Sequence, residues 1–402
     1  MTIKKLVLQF VLFIGVISTA CAQKPIEQDG SHYDNDKIRI GAARTEVYIP
    51  LLEGKRVALM SNHTGMVDSI HTLDLMLSNG INVTTIFSPE HGFRGNADAG
   101  EHVSSSVDSK TGIPIASMYD GKKRSPSKEV MNKIDVIVVD IQDVGLRYYT
   151  YYITMVDLMN AALAEGKEFI VLDRPNPNGM TVDGPILDMN FKSGVGRLPI
   201  PIVHGMTLGE IAQMANGEGW LEGGKKVNLS VVPCEGYTHQ SRYSLPISPS
   251  PNLPNMKSIY LYMSTCFFEG TPVSLGRGTD MPFQVYGHPD MHGYEFSFTP
   301  RSIPGAKNPP QLNKLCHGRN LTSLSNEDII AAGINLEYVI DAYNNLNIGD
   351  EFFTKFFNLL AGNDVLRRQI KQGMSAEDIK ATWAEDIEKF KVSRAPYLLY
   401  AE

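Results

Sequence analysis

Apolar residues fall in short unbroken runs set between turn residues, and the runs alternate with stretches of helical spacing. "RVALMSN" (Arg56 to Asn62) reads as a strand, and "SIHTLDLMLSNG" after it as a helix that Gly80 ends. "INVTTIF" (Ile81 to Phe87) is the next strand and "IPIASMY" a candidate third. "IDVIVVDIQD" (Ile134 to Asp143) is the clearest, a β-branched run with acids at its far end. Behind it Tyr152, Val156, Met159 and Leu163 share one helical face, and Gly166 stops the helix. "EFIVLD" (Glu168 to Asp173) is another buried strand. "PIPIVH" leads into "TLGEIAQMA", where Thr207 and Glu210 form a capping box, and "KVNLSVVP" closes the set. Near-continuous apolar strands alternating with helices predict a parallel sheet covered on both faces, a Rossmann-like layout. Such sheets bind ligands beyond the carboxyl ends of their strands.

The proline-rich stretch "SLPISPSPNLPNM" (Ser244 to Met256) interrupts the alternation. We place the boundary at its start, giving a Rossmann-like domain over 41–243 and a smaller α+β domain over 244–402. The second part holds "SIYLYMSTCFFEG", a loop region rich in Gly and Pro, and two or three helices. Ser375 caps the last helix, whose buried stripe is Ile379, Trp383, Ile387 and Phe390. A chain of 402 residues with 43% apolar content has room for two such domains.

The N-terminus reads as a targeting segment over 1–22. Lys4 and Lys5 precede an apolar run, Leu6 to Ile17, too short to span a bilayer. Two cleavages fit: "ACA" (Ala20 to Ala22) would leave Gln23 first, and "STAC" (Ser18 to Cys21) resembles a lipobox that would leave a lipid anchor on Cys21. Either route exports the chain, to a periplasm or to the surface of an envelope membrane. Gln23 to Asp36 is polar and patternless, and 23–40 is expected to be a flexible tether.

A net charge of −7 argues against a nucleic-acid partner, which needs basic patches. Beyond Cys21 stand Cys234, Cys266 and Cys316, an odd number with no C-x-x-C, so buried free thiols are the simplest expectation and one disulfide the alternative. No P-loop, G-x-G-x-x-G, G-x-S-x-G or H-E-x-x-H is present, so neither a cofactor nor a metal is expected. His288 and His292 in "HPDMH" are broken by Pro289 and fit a loop better than a ligand pair.

Polar groups gather where the strands end. Ser61, Asn62 and His63 follow the first strand, and Glu90, His91 and Arg94 in "SPEHGFRG" follow the second. Asp140, Gln142, Asp143 and Arg147 follow the central one; Asp173, Arg174 and Asn176 the next; His204 precedes the capping box. Each has an ordinary explanation as a cap, an ion pair or a turn. Together they line one edge that faces one cleft. In the second domain "CFFEGTPVSLGRGTD" ends an aromatic run on Glu269 and sets Arg277 and Asp280 on a Gly-rich loop, although a turn with a surface ion pair would use the same residues. A carboxylate from each domain would suit glycoside hydrolysis, with Glu90, beside Phe87, Pro89 and Phe93, as the protonated one. The tyrosines 148, 149, 151 and 152 are candidates for stacking on sugar rings.

"SPEHGFRG", "DIQDVGLRYYTY", "LDRPNPNG", "HGMTLGEIA", "PSPNLPNM", "FEGTPVSLGRGTD" and "YLLY" resemble, in order, the motifs of the exo-β-N-acetylmuramidase family, over roughly Arg44 to Tyr400. The resemblance implies removal of terminal N-acetylmuramic acid from the non-reducing end of peptidoglycan fragments. It also implies a smaller C-terminal domain closing the cleft of a Rossmann-like one, and Glu90 as catalytic carboxylate. Glu269 is our choice of partner, with Glu295 in "HGYEF" in reserve. An acid is expected at the position of Leu275. Arg94, Arg147 or Arg174 would grip the lactyl carboxylate, and His91, Asp143 and His204 would bind hydroxyls or tune Glu90. The rival readings are a non-catalytic binder of cell-wall sugars and a peptidoglycan amidase or esterase.

Overall fold

The computed structural model describes residues 25–26, 30–89, 93, 106–118 and 125–402. Its centre is a seven-stranded sheet made of β1 (Arg56–Ser61), β2 (Asn82–Ser88), β3 (Ser106–Val107), β4 (Pro114–Ser117), β5 (Val136–Asp140), β6 (Glu168–Leu172) and β7 (Asn228–Val232). The spatial order is β3-β4-β2-β1-β5-β6-β7. Every pairing is parallel except that of β3 with β4 at the edge. The six parallel strands therefore run third, second, first, fourth, fifth, sixth, and the order reverses between β1 and β5. The sheet is the Rossmann-like one that the apolar runs predict.

Alternation along single strands shows why the runs are continuous. Ala58, Met60, Ile137 and Val139 join the larger core cluster on one face. Val57, Leu59, Val136 and Val138 join a second cluster on the other, with Tyr48 and Leu52 of α1 (Thr45–Leu52) and Leu73 and Met76 of α2 (Thr72–Ser78). Each such Val or Ile contributes roughly 1.5–3 kcal/mol by burial. An acid at Val138 would put an unpaired charge into that second core. The helix behind β5, Tyr151–Ala164, is buried on all sides in its first two turns, so it shows no single apolar stripe. Thr207 and Glu210 make the expected capping box on the helix Leu208–Gly217.

The larger cluster continues through the helix Met256–Thr265 into the C-terminal helices, so both parts share a core. The second part adds a three-stranded antiparallel sheet, Val285–His288, Cys316–Asn320 and Phe296–Phe298 in spatial order. Ile379, Trp383, Ile387 and Phe390 are buried as expected, but on two helices, Ala376–Ala381 and Ala384–Arg394, with the break at Thr382 and Trp383. Ser375 caps the first. Cys234, Cys266 and Cys316 are free and buried.

The stretch expected to be a tether is docked in its described part. Asp34 N–H donates to Arg242 O (2.7 Å), and Arg242 N–H returns a bond to Asp34 Oδ2 (3.0 Å). The Asn35 side chain exchanges two bonds with the backbone of Ser244, and Arg39 pairs its backbone with Glu235. Polar residues can dock through hydrogen bonds without any apolar period, which is why the sequence reads as patternless. Among the described residues no helix is long and apolar enough to cross a membrane.

Candidate active site

Register brings Ser61 of β1 beside Asp140 of β5 at the carboxyl edge of the sheet, where the strand order reverses. Asp140 is buried and accepts from Arg174 Nε (2.6 Å) and Nη2 (3.0 Å) and from Thr72 Oγ1 (2.5 Å). Arg174 Nη2 also donates to Met66 O (3.0 Å). This bidentate pair joins the ends of β5 and β6 and pins the loop after β1.

The loops after β5 and β6 interlock. Gln142 Nε2 donates to Asp143 O and Pro175 O (both 2.8 Å), and Asn178 Nδ2 donates to Val144 O (2.8 Å). The Asp143 carboxylate accepts from Gly145 N–H through Oδ1 (2.8 Å). Burial pushes its pKa up to about 7, against the downward pull of that backbone donor. His204 accepts from Met206 N–H at Nδ1 (3.2 Å), and burial, aided by the charges of Arg394 and Arg147, lowers its pKa to about 3, so the ring is neutral. Buried atoms without a hydrogen-bond partner among the described residues include Ser88 Oγ at the end of β2 and, on these loops, Gln142 Oε1, Asp143 Oδ2, Arg147 Nε, Asn178 Oδ1 and His204 Nε2. Buried polar atoms are normally satisfied, so such a set along one strand edge marks a place for a polar ligand or ordered water. Asn178 escaped the reading of the sequence because "DRPNPNG" looks like turn chemistry; the signal was four polar residues so close behind a strand end.

Arg147 has another occupation. It is fully buried, and its Nη1 donates to Pro185 O (2.7 Å) and Ile200 O (3.0 Å) while Nη2 donates to Leu360 O (2.9 Å) and Ala361 O (2.8 Å). The last two are terminal carbonyls of the helix Lys355–Ala361, the negative end of its dipole. Gly362 follows at φ 80°, and a Cβ there would stand 2.5 Å from Arg147 Nη2, so both the backbone and the guanidinium require glycine. Arg147 thus ties the second part to the first. With its four Nη hydrogens spent on carbonyls it is not available for the lactyl carboxylate expected of it.

The tyrosines behave likewise, and the expectation that they stack on sugars is corrected. All four are buried. Tyr148 donates its hydroxyl to Tyr262 O (3.0 Å) and Met263 O (2.7 Å), Tyr149 and Tyr151 donate theirs to Pro249 O (3.0 and 3.1 Å), and Tyr152 Oη accepts from Arg197 N–H (2.9 Å). Asp173 is equally engaged: it accepts from Thr207 Oγ1 and Tyr400 Oη (both 2.6 Å) and holds the C-terminal residues against the sheet edge.

In the second part Glu269 lies in the 3-10 turn Cys266–Gly270 that follows the helix Met256–Thr265. Arg277 donates from Nε (3.1 Å) and Nη2 (2.5 Å) to one oxygen, Glu269 Oε1, and the pair keeps 23% and 16% of its side-chain surface. Gly276 and Gly278, at φ 85° and 80°, allow the tight loop that carries Arg277. Glu269 acts electrostatically on Tyr148, which stands on the same loop after β5 as Asp143. Asp280 and the reserve carboxylate Glu295 are both exposed. Leu275 is fully buried in the core, where an acid would be unsatisfied. Glu90, His91 and Arg94 lie outside the described residues.

The structure thus presents unsatisfied polar atoms at the switch edge of a doubly wound sheet and, in its second part, a partly exposed carboxylate, Glu269. Two family models match in tandem, exo-β-N-acetylmuramidase NamZ, N-terminal, over residues 57–257 and its C-terminal counterpart over 260–400. The chain belongs to that family. It is 39% identical over 373 residues to the peptidoglycan β-N-acetylmuramidase NamZ of Bacillus subtilis strain 168, covering 88% of this chain and 89% of the relative. Two crystal structures of DUF1343 family proteins from Bacteroides fragilis share the fold. One is 62% identical with a TM-score of 0.86 over 91% of this chain and 99% of the other; the second is 29% identical with a TM-score of 0.77 over 90% and 99%.

Proposed function

We propose that the protein is an exo-acting glycosidase that releases terminal N-acetylmuramic acid from the non-reducing end of peptidoglycan fragments. The observation that carries this is the tandem family match, which joins the sheet edge and the Glu269 loop in one enzyme. Glu90, which follows β2 in the sequence, is the general acid that protonates the glycosidic oxygen. Glu269, ion-paired through one oxygen, offers the other to a water or to the oxocarbenium-like transition state. Asp143, Gln142 and Asn178 supply acceptors for the sugar's hydroxyl and amide hydrogens, and His204 supplies a donor. Of the three arginines considered for the lactyl carboxylate, Arg147 and Arg174 are committed to protein acceptors, so the role falls to Arg94. The leader over 1–22 fits action outside the cytoplasm, with or without a lipid on Cys21.

The test is release of a chromogenic aglycone from β-linked N-acetylmuramic acid, with the N-acetylglucosamine analogue beside it. Cleavage of the first alone, abolished in Glu90→Gln with the melting transition intact, is the expected result. A Glu90→Gln variant with near-parental turnover would sink the assignment, and binding without any product would favour the sugar-binding rival.

A further inference from the structure

We propose that Phe283 is a positioning residue that fixes Glu269 through Arg277. Among the described residues five that are not glycine have positive φ: Asp68, Gln311, Asn313, Asn347 and Phe283. The first four are polar, and three are Asp or Asn, which tolerate this region through local hydrogen bonds. Phe283, at φ 61°, is bulky and 1% exposed, so its backbone carries a conformational cost that its surroundings must impose.

Those surroundings are identifiable. Phe283 N–H donates to Leu275 O (2.7 Å), closing the loop that carries Arg277, and Thr265 Oγ1 donates to Phe283 O (3.2 Å). The ring packs edge-to-face on Tyr262, 4.6 Å between centroids, and Arg277 Cζ lies 4.9 Å from the ring centroid. Both hydrogen bonds from that guanidinium then go to Glu269 Oε1. Glycine would close the same loop at no conformational cost. What phenylalanine adds is the aromatic face, which holds the planar guanidinium at one tilt and height. The tilt fixes which carboxylate oxygen of Glu269 is occupied and which is left for chemistry. The argument rests on the reading of Glu269 as the second carboxylate.

The experiment compares Phe283→Leu, Arg277→Lys, their double variant and Glu269→Gln in the full chain, on the muramic-acid glycoside, with thermal unfolding of each. Leucine keeps apolar bulk without a π face; lysine keeps charge without the fork. We expect Phe283→Leu to lower kcat about 10- to 100-fold with KM within about twofold, the signature of a misplaced group rather than of lost binding. The double variant should fall no further than the worse single, because both changes break one chain of contacts. Should Phe283→Leu lose its cooperative melt, Phe283→Met replaces it, being longer and adaptable in shape. A parental kcat in the Phe283 variant, or effects that multiply in the double variant, would overturn the proposal while Glu269→Gln remains inactive. An active Glu269→Gln would overturn the role of Glu269 and the proposal with it.

Discussion

Arg147 and Arg277 invite the same reading as sequence, each a cation a few residues beyond an acid near the end of an apolar element. The folded chain uses them in opposite ways. Arg147 is sealed; among the described residues its Nη hydrogens meet four backbone carbonyls and no carboxylate, and burial lowers its pKa to about 10. Arg277 meets a carboxylate in a half-open setting and keeps it reachable. The difference shows how a cation becomes structural or functional. One whose Nη donors all end on backbone carbonyls is tied to the fold. One that occupies a single carboxylate oxygen leaves the other free of it, as the proposed role of Glu269 requires.

The widest separation between the two should appear in stability. Arg147→Met removes the donors while roughly filling the space, and strands buried carbonyls from three segments. A loss of about 3–5 kcal/mol is expected, measured by denaturant unfolding with an unchanged m-value. Arg277→Met, at a pair that keeps part of its surface, should cost less, about 1–2 kcal/mol, while turnover on the muramic-acid glycoside collapses. Equal stability losses in the two variants would erase the distinction.

The contrast explains what could be read in advance. The sheet was legible because burial on two faces forces continuous β-branched runs, and the capping box because its two residues stand at fixed spacing. The fate of Arg147 was not, because its acceptors are main-chain carbonyls 38 to 214 residues away, and every residue type carries one. The docking of Asp34 and Asn35 was hidden for the same reason. The break at Thr382 and Trp383 was hidden by its stripe, since Ile379, Trp383, Ile387 and Phe390 keep helical spacing across it. The candidate carboxylates stood out as strand-end and loop acids. Glu269 and Glu295 differ in exposure and in an ion pair, neither of which the residue letters hold.

A second separation concerns two buried groups at the sheet edge, Asp143 and His204. The folded-state pKa of Asp143 is raised, from 3.8 to about 7. Its contribution to stability is present below pH 3.8 and is lost as pH rises through about 7. The folded-state pKa of His204 is lowered, from 6.5 to about 3. Its contribution is present above pH 6.5 and is lost as pH falls toward 3. Between pH 4 and 6.5 the two oppose each other. Asp143→Asn should therefore make stability rise with pH by about 1.4 kcal/mol per unit more than in the parent, and His204→Gln should tilt it the other way. Denaturant unfolding at pH 4.5, 5.5 and 6.5 measures both slopes. Parallel curves for all three proteins would show that neither group changes protonation on folding.

The smallest effect tests how the tyrosine run is attached to the proline-rich segment. Pro249 O accepts from both Tyr149 Oη and Tyr151 Oη. Removing one donor leaves the carbonyl satisfied by the other, so Tyr149→Phe should cost about 0.5–1 kcal/mol. Tyr151→Phe should cost more, because Tyr151 Oη also accepts from Asn62 Nδ2 (2.8 Å), and that buried amide hydrogen would lose its acceptor. The double variant strands the carbonyl as well, so its loss should exceed the sum of the singles by about 0.5–1 kcal/mol. Strict additivity in the double-mutant cycle would mean that the two hydroxyls do not share the Pro249 carbonyl, and that the segment is held by apolar packing instead.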